Sequence, residues 1–87
     1  ACRTPEPAAL ELMRGEVEDI VAVTDAEVAA AMRLLFTATH NVAEGAGAAS
    51  LAAALQQRER RRGQRIGVTL CGGNIDRELF AQTLSDP

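Results

Sequence analysis

The stretch Cys71-Gly72-Gly73-Asn74 sets a thiol and a carboxamide on either side of two residues without side chains. A thiol serves as nucleophile, metal ligand or weak hydrogen-bond donor, and glycine lets the backbone come close to another body. Ile66, Val68 and Leu70 alternate before the loop like a strand, and a helical pattern follows from Asp76. The end of a parallel strand leading into a helix is where open α/β sheets collect ligands. The same residues also suit a tight turn, with glycines at positive φ, Asn74 capping the next helix and Cys71 a small buried hydrophobe. A Cys–His nucleophile is disfavoured, because His40 is the single histidine and only Arg77 is a basic residue near the thiol.

A second segment, "EGAGAAS" from Glu44 to Ser50, poses a related choice. Its glycines and alanines suit close packing of a helix start against other backbone, or one face of a flat ligand. Glu44, between Ala43 and Gly45, needs a partner or a role if it is shielded from water. A place in the first turn of a helix, favouring the dipole, is the simpler account. His40 fits a helix C-terminal cap. One histidine and two distant cysteines do not make a structural zinc site, so no metal is expected. "RERRR" from Arg58 to Arg62 has no interleaved aromatic residue and reads as a solvated helix end.

These residues need elements to hold them. Thr4-Pro5 resembles a cap followed by proline at the first helical position, which predicts a helix from Pro5 to Arg14 stopped by Gly15. That helix would turn Leu10, Met13 and Val17 toward a core. "DIVAV" from Asp19 to Val23 reads as a buried strand. Thr24-Asp25-Ala26-Glu27 is a capping box, and the helix it starts runs to about Thr39, with Val28, Met32, Leu35, Phe36 and Thr39 on one face. A brief link or short strand over Asn41–Ala43, a helix from Leu51 to Arg62 ended by Gly63, a strand from Arg65 to Leu70 and a helix from Asp76 to Leu84 complete the chain. Strands separated by helices need crossovers, so the expectation is an α/β fold with parallel strands alternating with helices.

Composition bounds the rest. A chain of 87 residues with no Trp or Tyr and two Phe builds its apolar content from Ala, Leu and Val, so its core is thin. The net charge of −3 supplies no general attraction for nucleic acid or an anionic membrane, and neither is expected as a partner. The apolar runs are far shorter than a membrane span. Two distant cysteines do not form a disulfide framework, which points to a cytoplasmic, reducing setting. All nine basic residues are arginine, and lysine is absent. Chemistry that needs a side-chain amine must find it elsewhere.

Taken together, "EGAGAASLAAAL" followed by "IGVTLCGGNID" resembles the C-terminal part of the serine/threonine dehydratase (threonine ammonia-lyase) family. These are pyridoxal-phosphate enzymes of the tryptophan-synthase-β-like fold (fold type II). "ACRTP" is similar to the end of the family's Asp-Gly-x-Ala-x-Arg-x-Pro segment, and "DIVAVTDAEVAAAMRLL" to its strand and capped helix. The resemblance implies that Cys71 offers a neutral hydrogen bond to the pyridine nitrogen, that Gly72 and Gly73 keep the ring's approach clear, and that Asn74 completes the turn beside it. It places Glu44 and Gly45 near the cofactor. A neutral donor makes a weaker electron sink and favours prompt loss of a β-hydroxyl, which suits conversion of L-serine or L-threonine to a 2-oxo acid and ammonia.

Family members hold the cofactor as a Schiff base on a lysine and grip its phosphate with a glycine-rich loop, and both lie upstream of the matching residues. With no lysine, these 87 residues contain no catalytic residue of that kind and are expected to be inactive alone. The expectation is that residues 1–87 are the C-terminal portion of an incomplete catalytic domain, partnered by the missing N-terminal portion or by self-association. An amino acid is the substrate in the complete enzyme. The alternative is a non-catalytic α/β interaction module derived from that fold. A small phosphate-ligand binder using the Gly72-Gly73 loop is a third reading.

Overall fold

A computed structural model describes residues 3–86. Four helices follow one another: α1 Pro7–Arg14, α2 Asp25–Thr39, α3 Gly45–Gln56 and α4 Arg77–Ser85. Among the described residues there is no strand, so the expected α/β fold with parallel strands is overturned. The sequence preference for extended backbone is local, whereas a strand exists only where a neighbour completes its hydrogen-bond ladder. Neither 19–23, 41–43 nor 65–70 finds such a neighbour. Gln56 Nε2 donates to Ala22 O at 2.9 Å, and Ser50 Oγ donates to Thr69 O at 2.6 Å. Side chains of α3 thus tether two of these segments.

The capping box is present in full: Glu27 N–H donates to Thr24 Oγ1 at 3.1 Å, and Thr24 N–H donates to Glu27 Oε1 at 2.8 Å. The bond from the Thr24 amide, then one from Gln56, holds the Glu27 carboxyl below its ordinary range. At the other end His40 adopts φ 58°, its amide bonds Phe36 O, and its Nδ1 lies 3.2 Å from the same oxygen. It is the C-terminal cap of α2.

Three other boundaries shift for local reasons. α1 begins at Pro7 rather than Pro5, because proline holds the residue before it, Glu6, in extended backbone (ψ 121°). α3 begins at Gly45 instead of Leu51, with Ala46, Ala48 and Ala49 favouring helix and offsetting the poorer propensity of Gly47. It ends at Gln56, before Arg58, Arg61 and Arg62 would stack like charges three and four residues apart on one helical face. Residues 57–63 make turns instead, with Gly63 at φ 82°.

α2 is the centre, packing against both α3 and α4. Its Ala31, Met32 and Leu35 meet Ala43, Ala48 and Ala52, with Val23, Val28, Leu51, Ile75 and Phe80 partly buried around them. Phe36 and Phe80 pack edge to face with ring centres 5.6 Å apart, and Arg33 Nη1 donates to Thr83 O, so α4 is pinned to α2. Small residues on α3 let the helices approach closely, but they bury little apolar area. α1 packs against no other helix, and none of its residues is buried. Leu10, Met13 and Val17 therefore do not reach the core; with Ile20 they line a hollow of about 350 Å3. The radius of gyration is 14.3 Å, against about 12 Å for a compact chain of this length. No helix among the described residues is long and apolar enough to cross a membrane.

Candidate functional site

The two segments singled out from sequence meet in space. Glu44 is the N-cap residue of α3, and its amide donates to Gly72 O at 2.9 Å. Three residues on, the carbonyl of Gly47 accepts from the Cys71 amide at 3.4 Å. These two bonds clamp the start of α3 against the Cys71-Gly72 loop. Glycine is required on both sides of the clamp. A Cβ on Gly47 would overlap the Cys71 carbonyl oxygen and lie 2.7 Å from its carbon and 2.8 Å from Gly72 O. Gly72 has φ 75°, and a Cβ there would run into the Glu44 carboxylate. The Glu44 side chain therefore lies over Gly72.

The remaining residues fall in distinct places. A Cβ on Gly73 would sit 3.2 Å from Val42 O, so this glycine too answers to backbone, from the link preceding α3. Gly45 turns toward α2, where a Cβ would touch Val28 at an ordinary 3.5 Å. Cys71 is an exposed free cysteine, not the buried hydrophobe that a plain turn would make of it. Asn74 is exposed and does not cap α4: that helix starts at Arg77 behind Asp76, while Ile75 N–H bonds Gly73 O. Cys2 lies outside the described residues.

Glu44 and the Cys71-Gly72-Gly73 loop are thus neighbours through their backbones, with the Glu44 carboxylate over Gly72 and Cys71 exposed. Much of the glycine requirement comes from the clamp itself. Gly47, which makes the closest approach, belongs to the "EGAGAAS" run, whose small residues signalled close packing of a helix start against other backbone without saying which segment. A hollow of about 440 Å3 lies elsewhere, between α3 and residues 64–68, and does not include these side chains. Among the described residues no group of three or more His, Cys, Asp or Glu is gathered as for a metal ion.

Comparison with known proteins follows this geometry. Residues 1–72 match the family described as pyridoxal-phosphate dependent enzyme, a span that takes in Glu44, Gly45, Cys71 and Gly72 and stops short of Gly73 and Asn74. The chain is 38% identical over 73 residues to the L-threo-3-hydroxyaspartate ammonia-lyase of a Pseudomonas species, covering 84% of this chain and 23% of that protein. It is 37% identical over 85 residues to the L-threonine ammonia-lyase of Thermotoga maritima, covering 98% and 21%. It is 41% identical over 80 residues to the phenylserine dehydratase of Ralstonia pickettii, covering 91% and 24%. The chain spans about a quarter of the length of these curated relatives. No solved structure matches it.

Proposed function

This chain belongs to the pyridoxal-phosphate dependent enzyme family, and from that membership we propose that it supplies one wall of a cofactor site for β-elimination from a β-hydroxy amino acid, L-threonine or L-serine foremost. The observation that supports the reading is the clamp, which holds the Cys71-Gly72 loop against the start of α3 with the Glu44 carboxylate over Gly72 and Cys71 exposed. The residues present fit the non-covalent part of such a site. They do not supply a covalent anchor, since the 87 residues contain no lysine.

In this reading Cys71, Gly72, Gly73 and Asn74 would hold the cofactor ring, with Glu44 and Gly45 at its edge. When bound, the cofactor supplies an electron sink for charge developing at the substrate α-carbon. The chain's own contributions are positional. Cys71 offers a neutral, weak S–H donor that leaves a ring nitrogen uncharged. Gly72 leaves room for the Glu44 carboxylate, which would lie at the ring's edge, and Gly73 adds no side chain beside it. Glu44 carries an acceptor at the N-terminal end of α3, whose first amides make that end electropositive. The amine, the phosphate-binding groups and the substrate-carboxylate groups come from sequence beyond these 87 residues, consistent with the quarter of each relative that is matched.

The test is complementation. The 87-residue chain is mixed or co-expressed with the lysine-bearing remainder of the Thermotoga maritima relative from which the matching segment has been removed. Pyridoxal-phosphate absorbance and release of 2-oxo acid are followed with L-threonine, L-serine, 3-hydroxyaspartate and phenylserine. The expected result is no turnover from either part alone and turnover from the pair, lost when Glu44 and Cys71 are both replaced by alanine. A pair that assembles yet stays colourless and inactive sinks the proposal. A second reading, a non-catalytic interaction module, is favoured by the exposed apolar residues Ile66, Val68 and Leu70. It predicts stable association with protein and no affinity for pyridoxal compounds.

A further inference from the structure

A hydroxyl inside a helix ordinarily turns back on its own backbone. Thr39, Thr83 and Ser85 do so, each donating to the carbonyl four residues earlier, at 2.6, 2.9 and 2.9 Å. Ser50 does not. Its Oγ leaves α3 and donates to Thr69 O, 19 residues on, at 2.6 Å. The carbonyl it holds lies just ahead of Cys71 in the chain.

Three tethers then run along α3 in one order. The Glu44 amide donates to Gly72 O at 2.9 Å, Gly47 O accepts from the Cys71 amide at 3.4 Å, and Ser50 Oγ donates to Thr69 O. Glu44, Gly47 and Ser50 are spaced three apart and so share one side of the helix. Six residues of helix rise about 9 Å and three residues of chain reach at most about 10 Å, so the two runs match in length. The bond made by Cys71 itself is the longest of the three, and the shorter bonds flank it. Of those two, the Glu44 bond uses a backbone amide, and the Ser50 bond alone depends on which side chain is present. Both partners of each bond belong to this chain, so the tether needs nothing from beyond these 87 residues.

We propose that Ser50 is a positioning residue that fixes the register of the Cys71-Gly72 loop along α3, and with it the direction in which the Cys71 thiol is presented. In extended chain a slip of one residue carries a side chain about 3.3 Å and turns it to the opposite side. The catalytic value of that position rests on the cofactor reading, whereas the tether itself does not.

Ser50→Ala and Ser50→Thr separate the tether from helix propensity, because the two roles rank them in opposite orders. As helix formers, alanine exceeds serine and serine exceeds threonine. As donors to Thr69 O, serine and threonine serve and alanine does not. In the 87-residue chain, NMR-detected hydrogen exchange of the Glu44 and Cys71 amides should become about fivefold faster in Ser50→Ala, the loss of one net hydrogen bond. The Leu51 and Ala52 amides inside α3 should exchange as before, and Ser50→Thr should restore the unsubstituted rates at 44 and 71. In the pair formed with the lysine-bearing remainder, Ser50→Ala should lower kcat about tenfold with KM for L-threonine little changed, and Ser50→Thr should recover it. Equal exchange at 44 and 71 in all three chains overturns the proposal, as does protection that follows helix propensity. So does faster exchange with an unchanged kcat in an active pair. An unsubstituted pair without turnover overturns the cofactor reading instead, and the exchange rates then decide the tether by themselves.

Discussion

Replacing Gly47 by alanine tests the clamp on which the candidate site rests. In an unconstrained helix this change is favourable by about 1 kcal/mol, because alanine is the better helix former. Here the new methyl would overlap the Cys71 carbonyl and crowd Gly72 O. The loop must retreat, which breaks the Cys71-to-Gly47 and Glu44-to-Gly72 bonds at about 0.5–1.5 kcal/mol each. Forcing the loop outward adds an overpacking cost of about 1–3 kcal/mol. The losses exceed the gain, leaving a net destabilisation of about 3 kcal/mol within a range of about 1–5. At this chain length that lowers Tm by roughly 12–24 °C. The control is Gly67→Ala, where a Cβ meets nothing within 4 Å. It should be neutral, or stabilising by up to about 1 kcal/mol. Urea unfolding followed by far-UV circular dichroism measures both. If Gly47→Ala is as stable as Gly67→Ala, helix propensity has won, the two loops are not in contact, and the site has no scaffold.

Other consequences are equally direct. Thr24→Ala removes the hydroxyl that caps α2 and should cost about 1 kcal/mol, or roughly 4–8 °C in Tm. Because folding lowers the Glu27 pKa, its contribution is fully present above the unfolded glutamate value. It is lost as pH falls through the lowered folded value; a pH series of thermal melts should show this acid-side loss, and Glu27→Gln should flatten it. Phe80→Ala removes a half-buried ring from the edge-to-face pair with Phe36 and should cost about 2–3 kcal/mol, less than a fully buried phenylalanine. Hydrogen exchange should then rise first in α4. In the complemented enzyme, Cys71→Ser keeps a neutral donor and should retain turnover, whereas Cys71→Asp should depress it, read as kcat for 2-oxo acid release.

What was legible from the residue string was local, or was carried by a motif. The Thr24–Glu27 capping box, the extent of α2 and the His40 cap depend on groups within four residues of one another, so sequence alone determined them. The pairing of "EGAGAAS" with "CGGN" was legible as family resemblance, and the match over residues 1–72 bears the family out. The strands were not legible, because Ile66-Gly67-Val68-Thr69-Leu70 states a preference for extended backbone and says nothing about who lies beside it. Without a neighbour that preference leaves solvated chain, and the α/β expectation gave way to four helices. Only the tertiary structure decided what each glycine is for. Gly47 makes room for the Cys71 carbonyl, Gly72 for the Glu44 carboxylate, and Gly45 rests against Val28. A missing side chain records that something comes close, and which body does so is a property of two segments together.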